Sequence, residues 1–354
     1  MPIHIFSLDA YNTPIIFCLQ YETGRRSAAF TSCLSAQAHG GYCMGRHMNA
    51  QDRYIPWLRL IRLPNLLTVP GDPVAGFLLA SVGEPHPLAL AAAAGASLCL
   101  YVFGLILNDL LDIETDLRER PERPLPAGEI TVPQARMAAV AMSFSGLNLA
   151  LVAGRPALFV AAALAVVIVL YNAALKRVPV AGICAMGLCR GLSLLLGAVA
   201  ARPEFFARLT ATDVPVFLAA GGLTLYVTGL SAVAKREAET DKPQSFSRWL
   251  PFLALLLVLP ALIAVLSAHK RFDAFTPTVY VFLMVMTLMR SWLLGGLMYR
   301  LQPVPVTVGG HIRNLLMVQA CFCAAAGSQG LIPAALFVLL SFVFARLSAR
   351  FYSS

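Results

Sequence analysis

The sequence predicts an all-α, polytopic membrane protein of about nine or ten transmembrane helices, and three observations carry that prediction. Of its 354 residues, 58% are hydrophobic and only 13% are charged, a balance unlike that of a soluble domain. The apolar residues fall into runs of about 20, the length that crosses a bilayer as a helix. The charged residues collect between those runs, where water and headgroups solvate them.

The first run, Trp57 to Ala80, contains Pro64, Pro70 and Pro73 and is expected to be one kinked helix. The next runs are 87–110, 132–153, 156–172, 179–200, 213–234, 247–268 and 275–299. Two shorter ones, 308–327 and 331–349, are separated only by Gly327-Ser328-Gln329-Gly330 and read as two spans or one broken pair. Residues 1–47 differ from the rest. They are mixed in polarity and lack the basic start and long apolar stretch of a signal peptide. They are expected to be disordered, or to precede a true start at Met44 or Met48, leaving 48–354 as a single integral-membrane domain.

Basic residues orient the bundle. Arg53, Arg59, Arg62, Arg118, Arg120, Arg123, Arg136, Lys176, Arg177, Lys235, Arg236, Lys242 and Arg248 fall on one side if the helices alternate. The positive-inside rule makes that side cytoplasmic. Arg155, Arg202, Arg208, Lys270 and Arg271 fall on the other. The net charge of +9 therefore reads as topology and phosphate handling. No basic stripe interleaved with aromatics suggests nucleic acid. The basic balance and the lack of a transit peptide point to a bacterial inner membrane. Of eight cysteines, five lie in apolar runs, and Cys321-Phe322-Cys323 has the wrong spacing for a zinc or redox CxxC. They read as small packing residues.

The chemistry concentrates at Asn108-Asp109-Leu110-Leu111-Asp112-Ile113-Glu114-Thr115-Asp116, at the end of a long apolar run. Carboxylates there are expensive, about 2.5–3.5 kcal/mol each at a bilayer centre. On a helix, Asp109, Asp112 and Asp116 share one face. Such a cluster calls for a cation, and Mg²⁺ with hard oxygen ligands suits it, since that ion bridges carboxylates to substrate phosphates. A solvated acidic loop is the plainer alternative. A second acidic element, Lys235-Arg236-Glu237-Ala238-Glu239-Thr240-Asp241, lies on the same side, with Glu237 and Asp241 on one helical face. There Lys235 and Arg236 are equally able to pair with the acids.

With its continuation Arg123-Pro124-Leu125-Pro126-Ala127-Gly128, the first motif resembles the signature of the UbiA superfamily of intramembrane prenyltransferases. Arg62-Leu63-Pro64-Asn65 looks like that family's opening element, and Tyr171-Asn172 with Lys176-Arg177 resembles its tyrosine and lysine element. The likeness covers about residues 53–350. Glu237-x-x-x-Asp241 keeps the spacing of the family's second motif but has Lys235-Arg236 where acids are common. In this it most resembles the EboC-like group, whose second motif is similarly eroded.

The resemblance implies a helical bundle around a central cavity, with two acidic rims facing each other at a cytoplasmic mouth. It implies a polyprenyl diphosphate bound there through Mg²⁺ and an acceptor prenylated within the membrane. Asp109, Asp112, Asp116, Glu237 and Asp241 would be metal ligands, with Asn108 a neutral oxygen ligand. Lys176 and Arg123 would neutralise departing diphosphate, and Lys235 and Arg236 would contact it. Tyr171 would stabilise an allylic cation through its ring face. Arg62 and Asn65 would orient the acceptor, and Arg190 would reach the cavity. Plainer roles compete: Tyr171 in an interfacial belt, Arg62 snorkelling to headgroups, Arg190 facing the bundle interior. A transporter would scatter acids near the midplane, whereas here they gather at helix ends. The Gly that a phosphatidyl-group transferase signature requires after Asp112 is replaced by Ile113. A degenerate isoprenoid binder is the remaining alternative.

Overall fold

The computed structural model describes residues 50–81, 86–235, 246–269, 275–301 and 303–351. Residues 1–47 and the second acidic element at Arg236, Glu237 and Asp241 lie outside them. Among the described residues all regular structure is helical. The chain runs through α1 (Ala50–Leu60), a single turn Leu63–Leu66, α2 (Gly71–Ala80), α3 (Pro87–Leu111) and α4 (Ile113–Glu119). There follow α5 (Val132–Ala153), α6 (Arg155–Ala173), α7 (Pro179–Ala201), α8 (Val214–Ala234) and α9 (Leu250–Ala268). The last elements are α10 (Thr276–Leu293), which continues through a π-helical turn Leu294–Met298, then α11 (Val304–Ala324) and α12 (Leu331–Phe351).

The boundaries follow from local chemistry. α3 and each of α5 to α11 have a proline in the first turn, where a missing N–H costs nothing and φ is already helical. α5 adds a capping box. The Gln134 N–H donates to Thr131 Oγ1 at 3.4 Å, and the Thr131 N–H donates to Gln134 Oε1 at 3.0 Å.

Among the described residues seven helices are long and apolar enough to cross a membrane, from Pro87–Leu111 to Thr276–Leu297. By that measure the nine or ten spans read from the sequence are not reached. α11 has 21 residues but buries Thr307, His311, Asn314 and Gln319, which lowers its mean hydropathy. The expected first span departs most. It is not one kinked helix but three pieces, broken at Ile61-Arg62 and again at Leu67–Pro70. Arg62 adopts φ 50°, ψ 57°, the left-handed region, which stops α1. α2 is left with ten residues, about 15 Å of helix, half a span.

That half-helix lies at the centre of the bundle, packed against α3, α7, α8 and α11. Backbones meet closely where α2 crosses α7: a Cβ on Gly76 would run into the Leu194 carbonyl, and one on Gly197 into the Pro73 carbonyl. Small residues at a crossing are how membrane helices gain dispersion contact without a hydrophobic drive. One apolar core, including Phe77, Leu100, Leu194, Tyr226 and Phe322, runs through the bundle.

Candidate active site

α3 ends at the first acidic motif, and its geometry differs from the single helical face that the spacing predicts. Asp112 has φ −100°, ψ 6° and sits between α3 and α4. Hydrogen bonds step across the bend, from the Asp112 N–H to the Asn108 carbonyl at 3.0 Å and from the Asp116 N–H to the Asp112 carbonyl at 2.8 Å. Asp109 and Asp116 are buried at 6% and 4% exposure, while Asp112 is less enclosed.

The Arg123–Gly128 loop folds back over this bend. The N–H groups of Glu129 and Ile130 both donate to the Pro124 carbonyl, and Gly128 takes φ 71°, which glycine adopts without steric cost. Leu125 and Ile130 plug a small core with Leu60, Ile106, Ala135 and Ala139. This anchor aims Arg123 at the motif. Its Nη1 lies 2.6 Å from Asp116 Oδ2 and 3.6 Å from Asp109 Oδ1. Arg62 Nη2 approaches Asp109 Oδ1 at 3.9 Å. Lys176, on the turn Leu175–Arg177 after α6, donates to Asp112 Oδ1 at 2.6 Å. Three carboxylates thus face three cations drawn from the break after α1, the loop after α4 and the turn after α6. Asn108 Nδ2 donates to Asn172 Oδ1 at 3.1 Å, and Asn172 in turn binds the Ile168 carbonyl at 2.9 Å. Tyr171 stands within electrostatic reach of Asp112 and Arg62.

The other residues singled out in the sequence lie elsewhere. The Asn65 carbonyl accepts from Thr68 Oγ1 at 2.9 Å, and its side chain makes no hydrogen bond with a described residue. Arg190 is buried: its Nε lies 2.9 Å from Asp72 Oδ2, and its Nη2 donates to the Thr68 carbonyl at 2.9 Å. Gln319 Nε2 donates to the same carbonyl at 2.6 Å and to Asp72 Oδ1 at 2.7 Å. Lys235 Nζ donates to the Pro179 carbonyl at 2.7 Å. Asp72, Gln319 and Asn172 carry polar networks that the sequence reading did not assign.

Below the acidic bend lies an apolar cavity of about 380 Å³, lined by Trp57, Ile61, Cys99, Val102, Ile106 and Met142 among others. Ile106, Val102 and Cys99 descend α3 from Asp109 at steps of three and four residues, so the cavity lies on the same face as that carboxylate.

Oxygen donors alone make up the motif, which suits a hard divalent ion. Arg123 lies between Asp109 and Asp116, so positive charge already bridges the two buried carboxylates. No three metal-binding side chains among the described residues converge on a point. The donor chemistry fits Mg²⁺ at Asp109 and Asp116, with arginine standing where the two carboxylates meet.

The model of the UbiA prenyltransferase family matches residues 73–299. The chain belongs to the UbiA prenyltransferase family. Digeranylgeranylglyceryl phosphate synthase of Methanoculleus marisnigri is 31% identical over 163 residues, covering 46% of this chain and 58% of that protein. The enzyme of the same name from Ignicoccus hospitalis is 33% identical over 153 residues, covering 43% and 50%. The chain thus spans about half the length of the curated relatives it matches. A UbiA homologue from Aeropyrum pernix superposes with a TM-score of 0.59 at 17% identity, covering 73% of this chain and 96% of that one. One from Archaeoglobus fulgidus gives 0.55 at 15% identity, covering 82% and 98%. These two share the fold of this UbiA-family chain.

Proposed function

We propose that the chain transfers a prenyl group from a polyprenyl diphosphate to an acceptor within the membrane and releases diphosphate. One observation carries this reading: carboxylates ringed by Arg62, Arg123 and Lys176 stand one turn of α3 from an apolar cavity. The cavity suits a hydrocarbon tail, and the charged rim suits the diphosphate at its head. The relatives named digeranylgeranylglyceryl phosphate synthase support a geranylgeranyl donor as the first to test.

In this reading Asp109 and Asp116 would hold Mg²⁺, with Asp112 beside them, and Glu237 and Asp241 would be its further ligands. The ion supplies Lewis-acid stabilisation of charge on the diphosphate. Lys176 and Arg123 turn from the carboxylates to the diphosphate oxygens and stabilise them as the C–O bond breaks. Arg236 lies near enough in sequence to the second rim to join them. Asn172 fixes the amide of Asn108 and so presents Asn108 Oδ1 in one orientation. Trp57, Ile61 and Val102 keep water from the allylic carbon, and the Tyr171 ring offers its face to the developing cation. Arg62 and Asn65 would orient the acceptor. Arg190, engaged with Asp72, holds the half-helix α2 in place. The basic residues on the rim's side of the bundle support a rim that faces the cytoplasm.

The test is diphosphate release by purified protein in nanodiscs with geranylgeranyl or farnesyl diphosphate and a lipid extract, with and without Mg²⁺, beside Asp112→Ala. Mg²⁺-dependent release that disappears in the variant is expected, and mass spectrometry of the product then names the acceptor. Isoprenoid binding without release would overturn transfer and leave a binding protein.

A further inference from the structure

A second polar layer lies inside the bundle, where α8, α10 and α11 meet. Tyr226, Thr287, Ser291, Thr307, His311 and Asn314 are all fully buried there. Their spacing places Thr287 with Ser291 on one face of α10, and Thr307, His311 and Asn314 on one face of α11. Asn314 Nδ2 donates to the Thr287 carbonyl at 3.4 Å, and Gly310 abuts Leu294. This antiparallel register brings Ser291 level with His311. Arg290 stands beside the layer, within electrostatic reach of Tyr226, His311 and Arg313. It precedes Leu301 by eleven residues, roughly 16 Å of helix, near the middle of a hydrocarbon core about 30 Å thick. The π-helical turn Leu294–Met298 follows it directly, a distortion that gathers at functional sites.

A cation at that depth is costly and marks a function by default. Arg290 makes no hydrogen bond or ion pair with a described residue. Four buried atoms of the layer also lack partners: Ser291 Oγ, Thr307 Oγ1, His311 Nε2 and Asn314 Oδ1. Their chemistry can be read. Tyr226 Oη donates to the His311 carbonyl at 2.9 Å and lies 3.2 Å from His311 Nδ1. With the hydroxyl proton spent on the carbonyl, Nδ1 carries the ring proton and donates to Tyr226 Oη. Nε2 is then a bare acceptor. Asn314 Oδ1 is another. The layer therefore offers the charge of Arg290, with Arg313 nearby, two acceptors awaiting O–H donors and two unpartnered hydroxyls. Water would satisfy the acceptors but leave the charge. A simple anion would answer the charge but face two lone pairs. Arg290 is partly exposed while the other side chains of the layer are buried, so a ligand would meet Arg290 first.

We propose that Arg290, Ser291, His311 and Asn314 bind the headgroup of an anionic amphiphile that carries a hydroxyl beside its phosphate or carboxylate. The site is separate from the acidic rim and does not depend on prenyl transfer. Lysophosphatidic acid is the probe, because it has one phosphate, one free hydroxyl and one tail. Its binding to the full chain in an uncharged detergent is measured by thermal shift, beside dodecyl phosphate, which lacks the hydroxyl. Saturable binding is expected, weaker by about tenfold or more in Arg290→Gln, equivalent to about 1.4 kcal/mol, and weaker for dodecyl phosphate in the native chain. Ser291→Ala, which leaves the charge in place, is expected to bind about threefold less tightly; it serves if Arg290→Gln does not fold. Binding unchanged in these variants, or no saturable binding, overturns the site. Equal affinity for dodecyl phosphate overturns the hydroxyl requirement. Repeating the titration in nanodiscs of phosphatidylcholine with and without phosphatidylglycerol separates the sources. Competition by phosphatidylglycerol identifies a bilayer lipid, and its absence identifies a scarcer amphiphile; both outcomes require the Arg290-dependent binding just described.

Discussion

Lys176 and Arg62 make different demands on the acidic rim. Lys176 reaches Asp112 at 2.6 Å from a turn one helix away, so its loss leaves the fold of α3 intact and removes one charge-assisted contact. Such contacts are worth about 1.5–3 kcal/mol. Lys176→Ala is therefore expected to slow diphosphate release roughly 10- to 150-fold with little change in melting temperature. An unchanged rate would remove Lys176 from the leaving-group side. Arg62 is the only non-glycine residue with positive φ among the described residues. A left-handed residue with a Cβ costs about 1–2 kcal/mol, and strain of this kind collects at functional sites. Arg62→Gly relieves the strain while deleting the guanidinium near Asp109. The expected result is a melting temperature equal to or above that of the native chain, together with a fall in release of about tenfold. Loss of both together would mean that Arg62 only closes α1.

At the scale of elements, α2 is the piece that holds the bundle's centre, and its polar contacts decide whether it stays there. Asp72, Arg190, Gln319 and the Thr68 carbonyl tie α2 and the turn before it to α7 and α11. Breaking a buried pair by removing one partner costs about 3–5 kcal/mol, because the other charge is left uncompensated. Arg190→Met should therefore lower the melting temperature sharply. Asp72→Asn combined with Arg190→Met should recover most of the loss, since both charges are then gone. A double variant as unstable as the single one would show that Arg190 acts through packing rather than charge. The sequence revealed half of this arrangement. An arginine inside an apolar run has to face inward, and Arg190 does. Asp72 sits in Pro70-Gly71-Asp72-Pro73, which the sequence places inside one kinked helix, and nothing local announces that its carboxylate is buried beside Gln319. The same reasoning covers the first span. Prolines predicted a bend, but the break falls at Arg62, a left-handed residue that no local sequence signal announces. At the acidic motif, residue identities and spacing located the rim, while the bend at Asp112 did not show in a periodicity that assumes a continuous helix.

Across the whole molecule, sequence and architecture bear on the same question, which side of the membrane the rim faces. Helices α3 and α5 to α10 alternate in direction, so Arg120, Arg123, Lys176, Arg177 and Lys235 emerge together at one end, with the acidic bend among them. Arg202, Arg208 and the loop before α8 emerge at the opposite end. There Arg202 lies 2.5 Å from Asp213 and Arg208 lies 3.1 Å from Glu204. The positive-inside rule counts lysines and arginines near helix ends rather than net charge, and on that count we propose the rim's end as the cytoplasmic one. The assignment matters for the proposed reaction, in which a water-soluble diphosphate would leave on that side. In a cysteine-free background, Glu122→Cys and Glu204→Cys report the two ends. A membrane-impermeant maleimide applied to intact cells is expected to label the cysteine at 204 and spare the one at 122, and inverted vesicles are expected to reverse the pattern. Labelling at 122 in intact cells would place the carboxylates, and the release of diphosphate with them, on the outer face, against the direction that the arginines and lysines set.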